Sequence, residues 1–455
     1  MKIGLLDHMG YGNLGDAATQ EALISNIKAR MPDVDILGFS LNPDDTRKRH
    51  HICAYSITHW HPGLNQTEQT NTDEENPPPR LKLILKGIPI FGSLVSRVLN
   101  LLRELVHLGR IFKLLRSLDI LIIAGGGQLS ELWRGPWSHP YNLFKFSGLA
   151  KLARKKLLIL NVGAGPLNSS LGRMFIRGSV FLADYVSLRD VQSQALIQRI
   201  GVKRQTHVFP DSAYALDVSP YKNRNAAVTS KPLVGINPIG FCDPRIWPRQ
   251  DAVIYSRYLD TLAAFSRWLL SHNYRLRIFS GEASVDVYAL EDLKERLRPS
   301  LAPDELRSSF VPPSENVGDL FAQFSEMDFV VTSKFHGVVF SHLLAKPVLA
   351  LSYHVKIDDL MRAAGQSEHC LNIESVEHEC LEKSFTTLAE NAEALKATFK
   401  QTAESYAALL KNQFDDLFVP QGLTRLRRSG INEAVPPAII WPGGCRETTL
   451  TEQQK

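Results

Sequence analysis

The chain has 455 residues and a mass of 50.9 kDa, more than one hydrophobic core usually serves, so two domains are expected. A hydrophobic content of 44% and a charged content of 22% exclude a disordered or fibrous protein and fit a soluble globular enzyme. The net charge of +5 suits an anionic substrate or a membrane surface and gives no reason to expect nucleic acid.

"KIGLLD" (2–7) reads as a first strand, and it breaks into the glycine-rich "HMGYGNLGDAA" before a helix from about Asp16. "VDILGFS" (34–40) is a second strand. "PGLNQTEQTNTDEENPPPR" (62–80) reads as a mobile loop within an insertion spanning 50–118. It leads into a basic, leucine-rich stretch (81–118) with Glu104 as its only acid. That stretch is expected to form a crossover helix pair on the sheet, with peripheral membrane contact as the alternative. "DILIIAG" (119–125), "LLILNVG" (157–163) and "DYVSLRD" (184–190) follow as further strands, each trailed by helical spacing. Near-continuous apolar strands separated by helices point to a parallel sheet covered on both faces. The polar segment 217–232 reads as an interdomain linker.

A second series of strands begins with "LVGINP" (233–238) and continues through "YRLRIFSG" (274–281), "DFVVTS" (328–333) and "PVLALSY" (347–353). A long helical stretch (376–418) and a tail (421–455), expected to be partly disordered, complete the chain. The expected architecture is therefore α/β: two Rossmann-like domains facing a cleft, the first over 1–217 and the second over 232–420. No signal peptide or membrane span is apparent, and the five scattered cysteines lack any C-x-x-C pair. A cytoplasmic protein without structural zinc is expected. His50, His51, His59 and His61 lack an acid or cysteine in fixed register, so no metal is assigned.

In such sheets the loops after the strand carboxyl ends line the ligand crevice. Three of these loops are glycine-rich: "GYGNLGD" (10–16), "GGGQLS" (125–130) and "GAGPLNS" (163–169). None carries a complete dinucleotide fingerprint, so their exposed N–H groups suit an anionic or sugar-like ligand better than a nicotinamide cofactor. Asn13, Gly15, Asp16 and Gly126 are the candidates here, although Asp16 also stands where a plain helix cap would. In the second half, Lys334, His336 and Gly337 share one strand-to-helix turn, a candidate phosphate or carboxylate site. Tyr353, His354, Lys356 and Asp359 follow the next strand, and Arg189-Asp190 ends a strand of the first half.

Taken together, "GYGNLGDAA", "IAGGGQL", "SLRD", "PDSAYAL" and "TSKFHGVVFSHLLAKPVLALSYHVKIDDL" resemble the polysaccharide pyruvyl transferase family in order and content across residues 1–365. The resemblance implies the two-domain fold of GT-B-type glycosyltransferases. It also implies transfer of a pyruvyl group from phosphoenolpyruvate, a co-substrate, to a saccharide as a ketal, with no other cofactor. By position, Arg189, Lys334 and His336 match the donor-binding residues, Asn13, Gly15 and Asp16 the first-loop motif, and Lys356 a basic position. Arginine is common where this chain has Lys334. His336 is expected to move a proton or touch phosphate, and Asp16 to act as the acceptor-side base. The acceptor is expected to be a surface-polysaccharide precursor, with a lipid-linked form one option, which places the protein at the inner face of the membrane. Two rivals are a nucleotide-sugar glycosyltransferase and a non-catalytic binding protein of the same pathway.

Overall fold

A computed structural model of the chain describes residues 1–6, 12–58, 89–132, 135–222, 231–282 and 285–418, with the backbone alone for 89–98. The loop expected at 62–80, His59, His61, residues 81–88, residues 223–230 of the linker and the tail beyond 418 lie outside the described residues.

The first domain is a seven-stranded sheet in the order β3-β2-β1-β4-β5-β6-β7. Its strands are β1 (Lys2–Leu6), β2 (Asp35–Ser40), β3 (Cys53–Ser56), β4 (Ile120–Ala124), β5 (Lys156–Val162), β6 (Tyr185–Leu188) and β7 (His207–Val208). The second is five-stranded, in the order β12-β11-β10-β8-β9. It comprises β8 (Leu233–Asn237), β9 (Arg275–Ile278), β10 (Phe329–Thr332), β11 (Val348–Ser352) and β12 (Cys370–Asn372). Every pairing is parallel. Burial alternates as a covered parallel sheet demands: Ile3 and Leu5 of β1 face one core, and Leu6 faces the other.

The short edge strands β3, β7 and β12 have no counterpart in the sequence reading, because two to four residues give too little alternation to register. Of the helix pair expected over 81–118, the described residues contain one helix, Pro89–Arg116, and 81–88 lie outside them. The last helical stretch divides into His378–Glu390 and Ala392–Phe418. The second of these returns to the first domain, where Gln413 exchanges two side-chain hydrogen bonds with buried Asn161 (2.8 and 3.0 Å) and Asp415 accepts from Arg30 at 2.8 Å. The terminal helix thus ties the second half of the chain to the first.

Buried imidazoles add a pH dependence to this frame. His342 sits against the Phe399 ring at 4.5 Å and pairs Nδ1 with the Tyr214 hydroxyl at 2.8 Å. Burial lowers it from 6.5 to about 3, and lowers His139 to about 4. Below the ordinary histidine value the unfolded chain takes up protons that the folded chain refuses. Stability is therefore full above pH 6.5 and falls as the pH drops toward these values, by about 1.4 kcal/mol per pH unit for each group. Thermal melting at pH 7 and pH 5 checks this: His342→Gln should flatten the pH dependence, and an unchanged slope would contradict it.

Candidate active site

In each sheet the connections reverse direction beside the first strand, between β1 and β4 and between β8 and β10. Ligands bind at such switch points, outside the strand carboxyl ends. The two edges face each other: Leu14 N–H donates to Gly281 O at 2.9 Å, and Asn13 pairs with Glu282 as an antiparallel bridge. Between them lies a cleft of about 1050 Å³.

At the end of β1, Asn13 caps the helix Leu14–Arg30, its Oδ1 accepting from the N–H groups of Gly15 (2.9 Å) and Asp16 (3.3 Å). Asp16 is therefore not the cap. Its carboxylate lines the cleft against Gly126, where a Cβ would stand 2.8 Å from Oδ1. Gly126 also has φ +50°, so the second glycine loop needs glycine twice over at this position. Gly15 answers a different demand. A Cβ there would lie 2.1 Å from Nδ1 of His336, so glycine lets a histidine of the second domain rest on the first-domain backbone. Domain closure, rather than approach of a ligand, accounts for this glycine.

His336, in the first turn of the helix Phe335–Leu343, brings its Nε2 to 3.3 Å from Thr19 Oγ1 and 3.7 Å from Asp211 Oδ2. Asp211 is 2% exposed. Burial would raise its carboxyl, but contact with His336, the charge of Arg189 and the Ala213 N–H outweigh burial and hold it far below the usual carboxylate range. Thr19 Oγ1 lies 3.2 Å from Asp211 Oδ1, closing a Thr–His–Asp cluster across the domain boundary. Nδ1 of His336 rests against the Gly15 backbone, and both residues line the cleft.

Arg189 follows β6. Its guanidinium lies 4.4 Å over the Phe335 ring, 3.4 Å from Asp211 and 3.6 Å from Asp190. Gly163 leaves its place: a Cβ there would be 2.6 Å from Nε. That Nε is buried and makes no hydrogen bond among the described residues, with Asp190 Oδ2 beyond bonding distance at 3.6 Å, which leaves its N–H for a bound acceptor. On the opposite wall His354 caps the helix Val355–Ala363, its Nδ1 accepting from Lys356 N–H at 3.2 Å. Burial, then the charges of Lys356 and Arg189, lower His354 to about 4, so both cations act on the same spot. The Lys356 ammonium lies 5.7 Å over the Tyr353 ring and has no acid within ion-pair reach among the described residues.

Lys334, expected at a phosphate or carboxylate site, is paired within the protein. Its ammonium bonds Glu282 at 2.6 Å and Asp286 at 2.9 Å. Asp286 is 1% exposed and also accepts from Ser280 Oγ at 2.6 Å. Burial alone would lower Lys334, but the two carboxylates outweigh it and hold the ammonium protonated; burial raises Asp286. Gly337 is likewise structural, since a Cβ would fall 2.3 Å from Thr332 Oγ1 and push the helix off β10. Asp359 pairs with Arg362 on its own helix.

These loops coincide with a known sequence pattern: the profile of the polysaccharide pyruvyl transferase family matches residues 13–355, from Asn13 to the turn after β11. The chain belongs to the polysaccharide pyruvyl transferase family. Solved structures share its fold at low identity. A UDP-N-acetylglucosamine 2-epimerase, described as putative, from Listeria monocytogenes is 11% identical, with a TM-score of 0.57 over 91% of this chain and 95% of that one. The S. aureus MnaA–UDP co-structure is also 11% identical, with a TM-score of 0.55 over 93% and 97%. These likenesses show the GT-B-type arrangement of two Rossmann-like domains. One curated relative, the type IV pilus inner membrane component PilO of Pseudomonas aeruginosa, is 33% identical over 101 residues, 22% of this chain. The chain spans 45% of that protein's length.

Within this pyruvyl transferase family member, Asp211 and Thr19 back His336 and Phe335 lies under Arg189, although none of the three stands out in the sequence. Asp211 lies inside "PDSAYAL", a motif of the family resemblance, and that motif was the available signal. Glu282 and Asp286 gave none, because their importance depends on where Lys334 points.

Proposed function

We propose that this protein transfers the pyruvyl group of phosphoenolpyruvate to two hydroxyls of a saccharide, forming a ketal and releasing phosphate, in the making of a surface polysaccharide. The observation that carries this reading is the buried Arg189 guanidinium, whose Nε makes no hydrogen bond among the described residues, beside the Thr19–His336–Asp211 cluster. Phosphoenolpyruvate is a small multiply charged anion, and Arg189 and Lys356 offer a carboxylate or phosphate a planar fork and a point charge. The donor is a cytoplasmic metabolite, so the reaction belongs on the cytoplasmic side.

The chemistry assigns roles. Asp211, held ionised, favours a proton on Nε2 of His336 and leaves Nδ1 to exchange one in the cleft. A proton added to the methylene carbon of the donor makes a methyl group and leaves positive charge at C2. A saccharide hydroxyl attacks C2 as its proton passes to a base. The C2–O bond to phosphate then breaks, and the second hydroxyl closes the ketal. Of the two hydroxyl protons, one balances the new methyl proton and the other leaves with phosphate. Asp16, whose carboxylate has no side-chain partner among the described residues, serves as the acceptor-side base. Gln128, Ser130 and Asn142, which line the same cleft, bring amide and hydroxyl groups suited to a polyol.

A donor screen tests the reading. With phosphoenolpyruvate and a glycan acceptor, inorganic phosphate should appear, and Arg189→Ala should raise the donor KM about ten- to a hundredfold, the loss of one charge-assisted contact. Release of a nucleoside diphosphate from a nucleotide sugar, with none of phosphate from phosphoenolpyruvate, would instead make the protein a glycosyltransferase.

A further inference from the structure

The helices Pro89–Arg116, His139–Leu152 and Ser170–Leu182 form a layer on one face of the first sheet, anchored by Ile111, Leu115, Phe146 and Ile176 in a common core. Their outer side is unusual in two respects. Glu104 is their one acid, and it is turned inward, 3.1 Å from the Lys145 ammonium and 3.3 Å from the Tyr141 hydroxyl. What remains outside is basic: Arg103, Arg110, Lys113, Arg116, Arg173 and Arg177 are all exposed. Among them, large apolar side chains stand in solvent, with Leu101 61%, Leu105 54% and Trp137 66% exposed, and Leu102, Val106 and Met174 beside them in sequence or along the same helices.

Side-chain contacts join the three helices. Glu104 touches Tyr141, the Tyr141 ring lies 5.7 Å from Trp137, and Trp137 lies 5.4 Å from Phe175, next to Met174. Glu104, Leu132, Trp137 and Tyr141 also line the cleft, so its mouth opens on this face. No described helix is long and apolar enough to cross a membrane.

We infer that this three-helix face docks on an anionic lipid surface, its leucines and Trp137 entering the interface while the arginines and lysines meet the headgroups. Leucine and tryptophan set among arginine and lysine on one helical face is the composition of an interfacial anchor. The absence of outward acid supplies the charge complementarity. A docked face would hold the cleft mouth against the bilayer, where a saccharide on a lipid carrier is presented. That last step rests on the transfer reading, whereas the docking does not.

Co-sedimentation of the full chain with vesicles of phosphatidylcholine, alone or mixed with phosphatidylglycerol, tests the docking without any catalysis. Binding should need the anionic lipid and weaken with salt. Arg103→Ala with Lys113→Ala should weaken it about thirtyfold, the effect of two interfacial charges. Leu101→Asp with Leu105→Asp should abolish it. Both double variants should keep the wild-type melting temperature and phosphate release with a soluble acceptor. Absence of binding, equal binding to neutral vesicles, wild-type binding by the variants, or a soluble dimer dissociated by Leu101→Asp with Leu105→Asp in place of vesicle binding would overturn the inference.

Discussion

The His336→Ala variant is expected to lose about 10²–10⁴-fold in kcat, with the donor KM changed far less, because a positioned proton-transfer group acts mainly in the transition state. The expectation follows from the geometry around the ring. One nitrogen faces a carboxylate held ionised, and the other rests against the Gly15 backbone in the lining of the cleft. Asp211→Asn should lower kcat in the same direction while leaving the fold intact, since asparagine keeps the shape and the Ala213 N–H contact but not the charge. Gly15→Ala offers an independent check: its methyl would collide with the imidazole, so it should mimic the histidine variant without altering any charged group. Stopped-flow or steady-state phosphate release separates these effects. A rise in donor KM with unchanged kcat in His336→Ala would make the histidine a phosphate contact instead.

Lys334→Ala should damage stability before it damages donor binding. The ammonium lies between Glu282 and a nearly inaccessible Asp286, and removing one partner of a buried pair costs about 3–5 kcal/mol because the remaining charge has nothing to answer it. Urea denaturation should show this loss, and Asp286→Asn added to Lys334→Ala should recover part of it. Equal stability of Lys334→Ala and wild type, with a raised donor KM, would return Lys334 to the donor site.

The contrast between these two residues shows what the chain disclosed. Apolar runs separated by helical spacing announced two parallel sheets, because a strand buried on both faces must be apolar along its length. The glycine and basic loops were legible because strand ends at a switch point must carry the site. Lys334 and His336 looked alike in the sequence, two residues apart in one turn. Their difference arises from partners that come from elsewhere: Glu282 and Asp286 after β9, and Asp211 after β7. A one-dimensional pattern reports the type of a side chain and not what it meets. The same limit hid the role of Gly15, whose missing Cβ makes room for an imidazole more than 300 residues away. It also hid the return of the helix Ala392–Phe418 to the first domain, where Gln413 meets Asn161 and Asp415 meets Arg30.

Isotope tracing of the transferred group tests the central claim most directly. Both oxygens of a pyruvate ketal come from the saccharide, so phosphoenolpyruvate labelled with ¹⁸O in its bridging position should deliver that label to inorganic phosphate. Run in deuterated water, the reaction should place one deuteron in the methyl group of the ketal. Mass spectrometry of the two products reads both outcomes at once. Bridging label retained on a three-carbon product, or phosphate formed at the same rate with and without saccharide, would contradict pyruvyl transfer by this cleft.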